Sequence, residues 1–197
     1  MLMRKEYGLI AILVMVAFLI TTLATVAKAA EAGPSYVGVF GGYVIPQDLE
    51  TPSGDIKMKN SWMLGAKFGY IIPTYKWVAA ELEYNHLFKQ DVDQAGDNGD
   101  FSADSVMANF LVRCPEGMFH PYVGFGIGWS WGDFKSDGND NTSNNFAWQI
   151  LAGLNYEITK NWSADLGYRY FQSKYSPDSG DVTSKNHIVL IGVNYHF

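Results

Sequence analysis

The last thirteen residues read Lys185-Asn186-His187-Ile188-Val189-Leu190-Ile191-Gly192-Val193-Asn194-Tyr195-His196-Phe197. Side chains alternate with a period of two along an extended chain. His187, Val189, Ile191, Val193, Tyr195 and Phe197 therefore share one side, and Ile188, Leu190, Gly192, Asn194 and His196 share the other. The first side suits lipid; the second suits a crowded, partly polar interior. This two-sided pattern is expected of a strand that crosses a membrane as one stave of a closed barrel.

The same alternation recurs upstream. Trp162, Ala164, Leu166, Tyr168 and Tyr170 oppose Ser163, Asp165, Gly167, Arg169 and Phe171. Phe146, Trp148, Ile150, Ala152, Leu154 and Tyr156 oppose Gln149, Gly153, Asn155 and Glu157. Val123, Phe125, Ile127, Trp129 and Trp131 oppose Tyr122, Gly124, Gly126, Gly128 and Ser130. Three more segments, 106–113, 78–85 and 62–70, repeat it, whereas Ser35 to Ile45 carries glycines on both sides and its faces stay unassigned. The expected fold is all-β: an eight-stranded antiparallel up-and-down transmembrane β-barrel, even-numbered as a single-chain bacterial barrel requires.

Connections alternate in length. Residues 46–60, 89–102, 135–144 and 174–184 are long and polar; 72–76, 115–120 and 158–161 are short. Outer-membrane barrels carry long extracellular loops and short periplasmic turns, so both termini are expected in the periplasm and the four long segments outside the cell. A soluble barrel would be apolar inside and polar outside, the reverse of the faces read here.

At the N-terminus Arg4 and Lys5 precede an apolar run from Leu9 to Val26, then Ala27-Lys28-Ala29. This reads as a signal peptide, residues 1–29, cleaved before a barrel domain at 30–197, with an uncleaved anchor as the alternative. Cleavage changes the formal net charge from −6 to −8 by removing Arg4, Lys5, Lys28 and Glu6. An acidic chain is a poor partner for nucleic acid or an anionic surface. Cys114 is the only cysteine, which excludes an intramolecular disulfide and a four-cysteine zinc site.

Eight strands leave an interior just wide enough for side chains. The inward positions include Lys67, Glu81, Glu83, Arg113, Glu157, Asp165 and Arg169, with glycines between them. If Thr74 centres the turn between the second and third strands, Lys67 falls opposite Glu81. Buried charges are costly unless paired and hydrogen-bonded, so these residues are expected to form a connected charge network that fixes register; the functional alternative is a gate opened by partner exchange.

Together with the signal peptide, four features are similar to the small outer-membrane β-barrel superfamily, which includes the OmpA-type transmembrane domain and opacity-type surface proteins. They are the first strand Tyr36-Val37-Gly38-Val39-Phe40-Gly41-Gly42-Tyr43, the segment Pro121-Tyr122-Val123-Gly124-Phe125-Gly126-Ile127-Gly128, Leu166-Gly167-Tyr168-Arg169-Tyr170, and the terminal Phe197. Tyr195 and Phe197 resemble the C-terminal assembly signal of such proteins. The resemblance implies an outer-membrane location in a Gram-negative cell, and contact with outer-membrane lipid, lipopolysaccharide and the assembly machinery. Unlike full-length OmpA, the chain is read as ending with the barrel, without a peptidoglycan-binding domain. A structural, loop-displaying, monomeric role is expected, with a narrow channel for water, ions or small solutes and surface recognition as alternatives.

The enzymatic branch of the family is testable on residues. Lipid A deacylases of similar size place a histidine two positions before a serine on a late strand, whereas Tyr170-Phe171-Gln172-Ser173 has Phe171 there. Ser173 then lacks a general base, and no catalysis is expected. His86, His120, His187 and His196 show no metal-binding spacing. Asp91-Val92-Asp93-Gln94-Ala95-Gly96 resembles a calcium loop but fails at Ala95 and Ser102, so neither metal nor cofactor is expected. Gly124, Gly126 and Gly128 lie within strand alternation and form no nucleotide loop.

Overall fold

The computed structural model describes residues 33–47, 49–51, 54–94, 97–136, 139–175 and 182–197, with side chains in 33–47, 59–88, 102–132, 145–173 and 184–197. The segment read as a signal peptide lies outside the described residues. Pro34 to His196 form one compact unit.

Ten strands are described: β1 (Ser35–Pro46), β2 (Leu49–Thr51), β3 (Gly54–Met58), β4 (Ser61–Ile71), β5 (Val78–Gln94), β6 (Asp97–Arg113), β7 (Phe119–Ser136), β8 (Asn139–Glu157), β9 (Trp162–Tyr175) and β10 (Val182–His196). β1 and β4 to β10 form the closed eight-stranded barrel, each strand antiparallel to the next, with β10 returning to β1 through Tyr36↔His196 to Pro46↔Asn186. β2 and β3 make a small hairpin inside the first long connection, and β3 joins the edge of β5 at Lys57↔Asp93.

Register defines the barrel's geometry. From Ser35 the pairing path runs to Tyr70, Ala80, Phe110, Phe125, Ile150, Tyr170 and His187, and returns to β1 at Ile45, ten residues beyond its start. Eight strands ~4.8 Å apart, climbing ten residues of ~3.3 Å per circuit, are tilted about 41° to the barrel axis.

The faces expected for β4 and β6 to β10 hold throughout their described cores. β1, left unassigned from sequence, turns Tyr36, Gly38, Phe40, Gly42 and Val44 inward and Val39, Tyr43 and Ile45 outward. Val78 belongs by alternation to the lipid side yet is buried, because it closes the tight turn in which its N–H donates to Tyr75 O and its carbonyl accepts from Ile72 N–H.

Two sequence readings are corrected. That turn is centred one residue later than Thr74, so Lys67 pairs with Glu83 and Gly69 with Glu81. The segments 89–102 and 135–144 are largely strand: β5–β6 pairing continues to Gln94↔Asp97 and β7–β8 pairing to Ser136↔Asn139. Polar composition suggested loops there, but the backbone ladder does not depend on side-chain polarity.

Candidate functional site

The interior is stacked in layers. At the end where β1 begins and β10 finishes, the terminus end of the barrel, His120 Nδ1 donates to Cys114 O at 2.8 Å. Its Nε2 lies 2.8 Å from Glu157 Oε1, at ion-pair distance but outside hydrogen-bond alignment. Arg113 lines the same mouth without an ion pair among the described residues, and Glu157 is about half exposed.

One layer deeper, Lys67 Nζ donates to Asp165 Oδ2 at 2.7 Å and lies 2.9 Å from Glu81 Oε1. Tyr36 OH donates to Glu81 at 2.7 Å and Tyr122 OH to Asp165 at 3.0 Å. Lys67 thus reaches Glu81 diagonally, despite the register that sets it opposite Glu83.

Next comes Arg169, whose Nη1 and Nη2 engage Glu83 Oε1 and Oε2 as a bidentate fork, the second bond measuring 3.1 Å. Asn85 and Asn109 also donate to Glu83, at 2.9 and 3.2 Å, and Gln149 donates to Asn109 at 2.8 Å. Phe40 lays its ring 4.9 Å from the Arg169 guanidinium, a cation–π contact in a dry setting. Beyond it Val44, Met63, Met107, Ala147, Phe171 and Ile188 pack with Phe40 into an apolar layer. A polar ring at the far end includes Ser105, Ser130, Ser173, Ser184 and Asn186.

Glycines make the stack possible. A Cβ on Gly69 would strike the Tyr36 ring, and one on Gly65 would come within 2.7 Å of Phe40 Cε2. Both rings lie across the lumen only because the facing wall has no side chain there.

The charges expected to form one network thus divide, by their hydrogen bonds, into a Lys67–Glu81–Asp165 group and an Arg169–Glu83 group, with Arg113 and Glu157 at the rim. Tyr36, Phe40, Asn85, Asn109, Tyr122 and Gln149 complete these groups and were not singled out from sequence. For Tyr36 and Phe40 the obstacle was the unassigned first strand. A cavity of about 30 Å³ lies beside the Lys67 group and one of about 20 Å³ under the far-end ring. Between them Met107 is fully buried and Glu83 nearly so.

The outer wall is apolar and ringed by aromatics. Tyr43 packs on Trp62 at 5.0 Å, and Trp148 meets Tyr170, which meets His187 at 5.3 Å, all toward the far end. Toward the terminus end Trp162 packs on Tyr195 and Phe119 on Tyr156, each at 4.9 Å. Among the described residues no cluster of three or more His, Cys, Asp or Glu is placed to hold a metal. The calcium-like stretch at Asp91 lies outside the described side chains.

A closed barrel with an apolar outside and charged inside calls for comparison with known proteins, and the family model of the outer membrane protein beta-barrel domain matches residues 14–197. The chain belongs to that family. As an outer-membrane barrel it is similar in fold to Neisserial surface protein A, with TM-score 0.65 and 19% identity over 85% of this chain and 100% of that one. It is also similar to Ail, the attachment invasion locus protein of Yersinia pestis, with TM-score 0.54 and 20% identity over 85% and 100% of the two chains. An uncharacterized protein of Brucella abortus (strain 2308) is 34% identical over 91 residues, which cover 39% of this chain and 32% of that protein. The chain therefore spans about a third of the length of the curated relatives it matches. Family membership places this barrel in the outer membrane.

Proposed function

We propose that this outer-membrane barrel is a sealed wall element. It supports the membrane and holds its four long connections at the cell surface, with both termini and the short turns in the periplasm. The observation that carries this reading is the lumen: Arg169 and Glu83 cross it as a bidentate pair backed by Phe40 and Met107, each at most 3% exposed. Lipid and lipopolysaccharide are its lateral partners, and β10 with Tyr195 and Phe197 is the element offered to the assembly machinery.

Catalysis forms no part of this reading. Phe171 faces the lumen two residues before Ser173, and Ser173 Oγ is buried without a hydrogen-bond partner among the described residues. A hydroxyl on the inner face has no access to membrane lipid.

Surface recognition is a weaker reading. Ail forms a crystalline complex with the heparin analogue sucrose octasulfate. The four long connections of this chain, 46–60, 89–102, 135–144 and 174–184, hold eleven acidic and five basic residues, which repels a polyanion. A second reading, a narrow pore, draws on the two cavities that flank the Arg169–Glu83 pair from either side.

Single-channel recording in planar bilayers separates these readings, once a heat-dependent gel shift has verified folding. A silent folded barrel supports the sealed element. Discrete, reproducible steps overturn it in favour of the pore.

A further inference from the structure

At the far end the lumen carries a ring of uncharged oxygens. Asn85, Ser105 and Ser130 stand directly opposite one another on β5, β6 and β7, and Ser173 opposes Ser184 on β9 and β10. Asn186, the next inward position along β10, completes the set. All six line the cavity of about 20 Å³, and none is more than 7% exposed. Among the described residues no charged side chain lines it.

Hydrogen bonds commit the amide nitrogens of this ring and leave oxygen for a guest. Asn85 Nδ2 donates to Glu83 Oε1 at 2.9 Å, and Asn186 Nδ2 donates to Ser184 Oγ at 3.1 Å. Ser105 Oγ donates to Ser130 Oγ at 3.0 Å. The ring atoms that are buried without a hydrogen-bond partner among the described residues are Asn186 Oδ1 and Ser173 Oγ. Such orphans are rare in folded proteins and call for a bound species.

Size and chemistry narrow that species. One water needs roughly 10–15 Å³, so this cavity takes a single body of about that size. Val44, Met63, Phe171 and Ile188 supply its apolar wall, so a guest gives up its hydration shell there. Hydroxyl and amide oxygens without imidazole, thiolate or carboxylate suit neither a transition metal nor calcium or magnesium. Neutral oxygens that replace a hydration shell suit a singly charged alkali ion. The long connections at this end carry eleven acidic and five basic residues, a field that gathers cations over the mouth and repels anions.

We propose that this ring binds one monovalent alkali cation, held by Asn186 Oδ1, Ser173 Oγ and the neighbouring hydroxyls. The ion ties β9 and β10 to β5, β6 and β7 across the lumen, joining walls that share no backbone ladder. It enters and leaves by the same mouth. Occupancy requires no passage through the Arg169–Glu83 layer, so the site is independent of conductance.

Thallous ion, an electron-dense stand-in for potassium, is the direct probe. Crystals of the refolded barrel grown in thallous acetate should show one anomalous peak beside Asn186 and Ser173. In vesicles the urea midpoint should rise when KCl or NaCl replaces N-methyl-D-glucamine chloride at constant ionic strength. A ligand of the folded state at ten times its dissociation constant multiplies the folding equilibrium about elevenfold. Asn186→Leu with Ser173→Ala should abolish this dependence, the heat-dependent gel shift verifying that the variant folds, and Ser173→Ala alone should weaken it. A midpoint indifferent to the cation, with no thallous peak in the ring, would mean that water alone fills the cavity and would overturn the site. An undiminished cation effect in both variants would overturn it too, by placing the effect elsewhere.

Discussion

Arg169 on β9 reaches across the barrel to Glu83 on β5, donating from Nη2 to Oε2 at 3.1 Å, with neither side chain more than 3% exposed. No sheet pairing joins these strands; the bond spans opposite walls. Removing one partner strands the other charge in a dry layer, at about 3–5 kcal/mol. Arg169→Ala and Glu83→Ala should each lower the urea midpoint in lipid vesicles accordingly. The double variant Arg169→Met with Glu83→Leu should lose less than either, and a double loss equal to the two singles combined would show that the pair is not coupled.

Lys67 sits between two carboxylates, and its loss differs from the loss of either. Lys67→Met leaves Glu81 and Asp165 facing each other without a cation, so it should destabilise more than Glu81→Gln, which keeps the Lys67–Asp165 bond of 2.7 Å. Tyr36→Phe removes a hydroxyl donated to a charged group, about 1.5–3 kcal/mol. Urea unfolding of the three variants gives the order, and a Lys67→Met midpoint above that of Glu81→Gln would contradict it.

How much of this was readable beforehand follows from particular residues. Alternation along β4 and β6 to β10 identified the lipid side, because membrane and lumen impose opposite chemistries on neighbouring residues. β1 escaped, since Gly38 and Gly42 face inward and Gly41 outward, leaving no contrast. The acids and bases of the lumen stood out on alternating strands, but their partners did not. Arg169–Glu83 and Lys67–Asp165 join walls that are not sheet neighbours, so strand register cannot predict them. Asn109 and Gln149 are unremarkable in composition and acquire their role only from position.

Gly65 faces the Phe40 ring and the Tyr84 carbonyl; a new Cβ would strike the ring and lie 2.8 Å from the carbonyl oxygen. Gly65→Ala should cost about 1–3 kcal/mol by overpacking. Phe40→Leu in the same chain should restore part of that loss but not all, because the Tyr84 backbone cannot withdraw. Urea midpoints measure both steps; complete restoration would mean the backbone contact is immaterial.

Cys114 is exposed in the short connection between β6 and β7, at the barrel end where β1 begins and β10 finishes. A membrane-impermeant maleimide should leave it unlabelled on intact cells and label it after the outer membrane is permeabilised. Labelling of intact cells would invert the proposed orientation.

The seam between β1 and β10 pairs Tyr36 with His196, nearly the full span of the described chain. Every other barrel ladder joins strands close in sequence, so staves can accumulate early, but this one must wait for the last strand. Until then the first and last staves are bare edges, each a template for a stranger's strand. Closure thus depends on the two strands farthest apart in sequence, and for as long as that seam stands open the chain has need of a custodian.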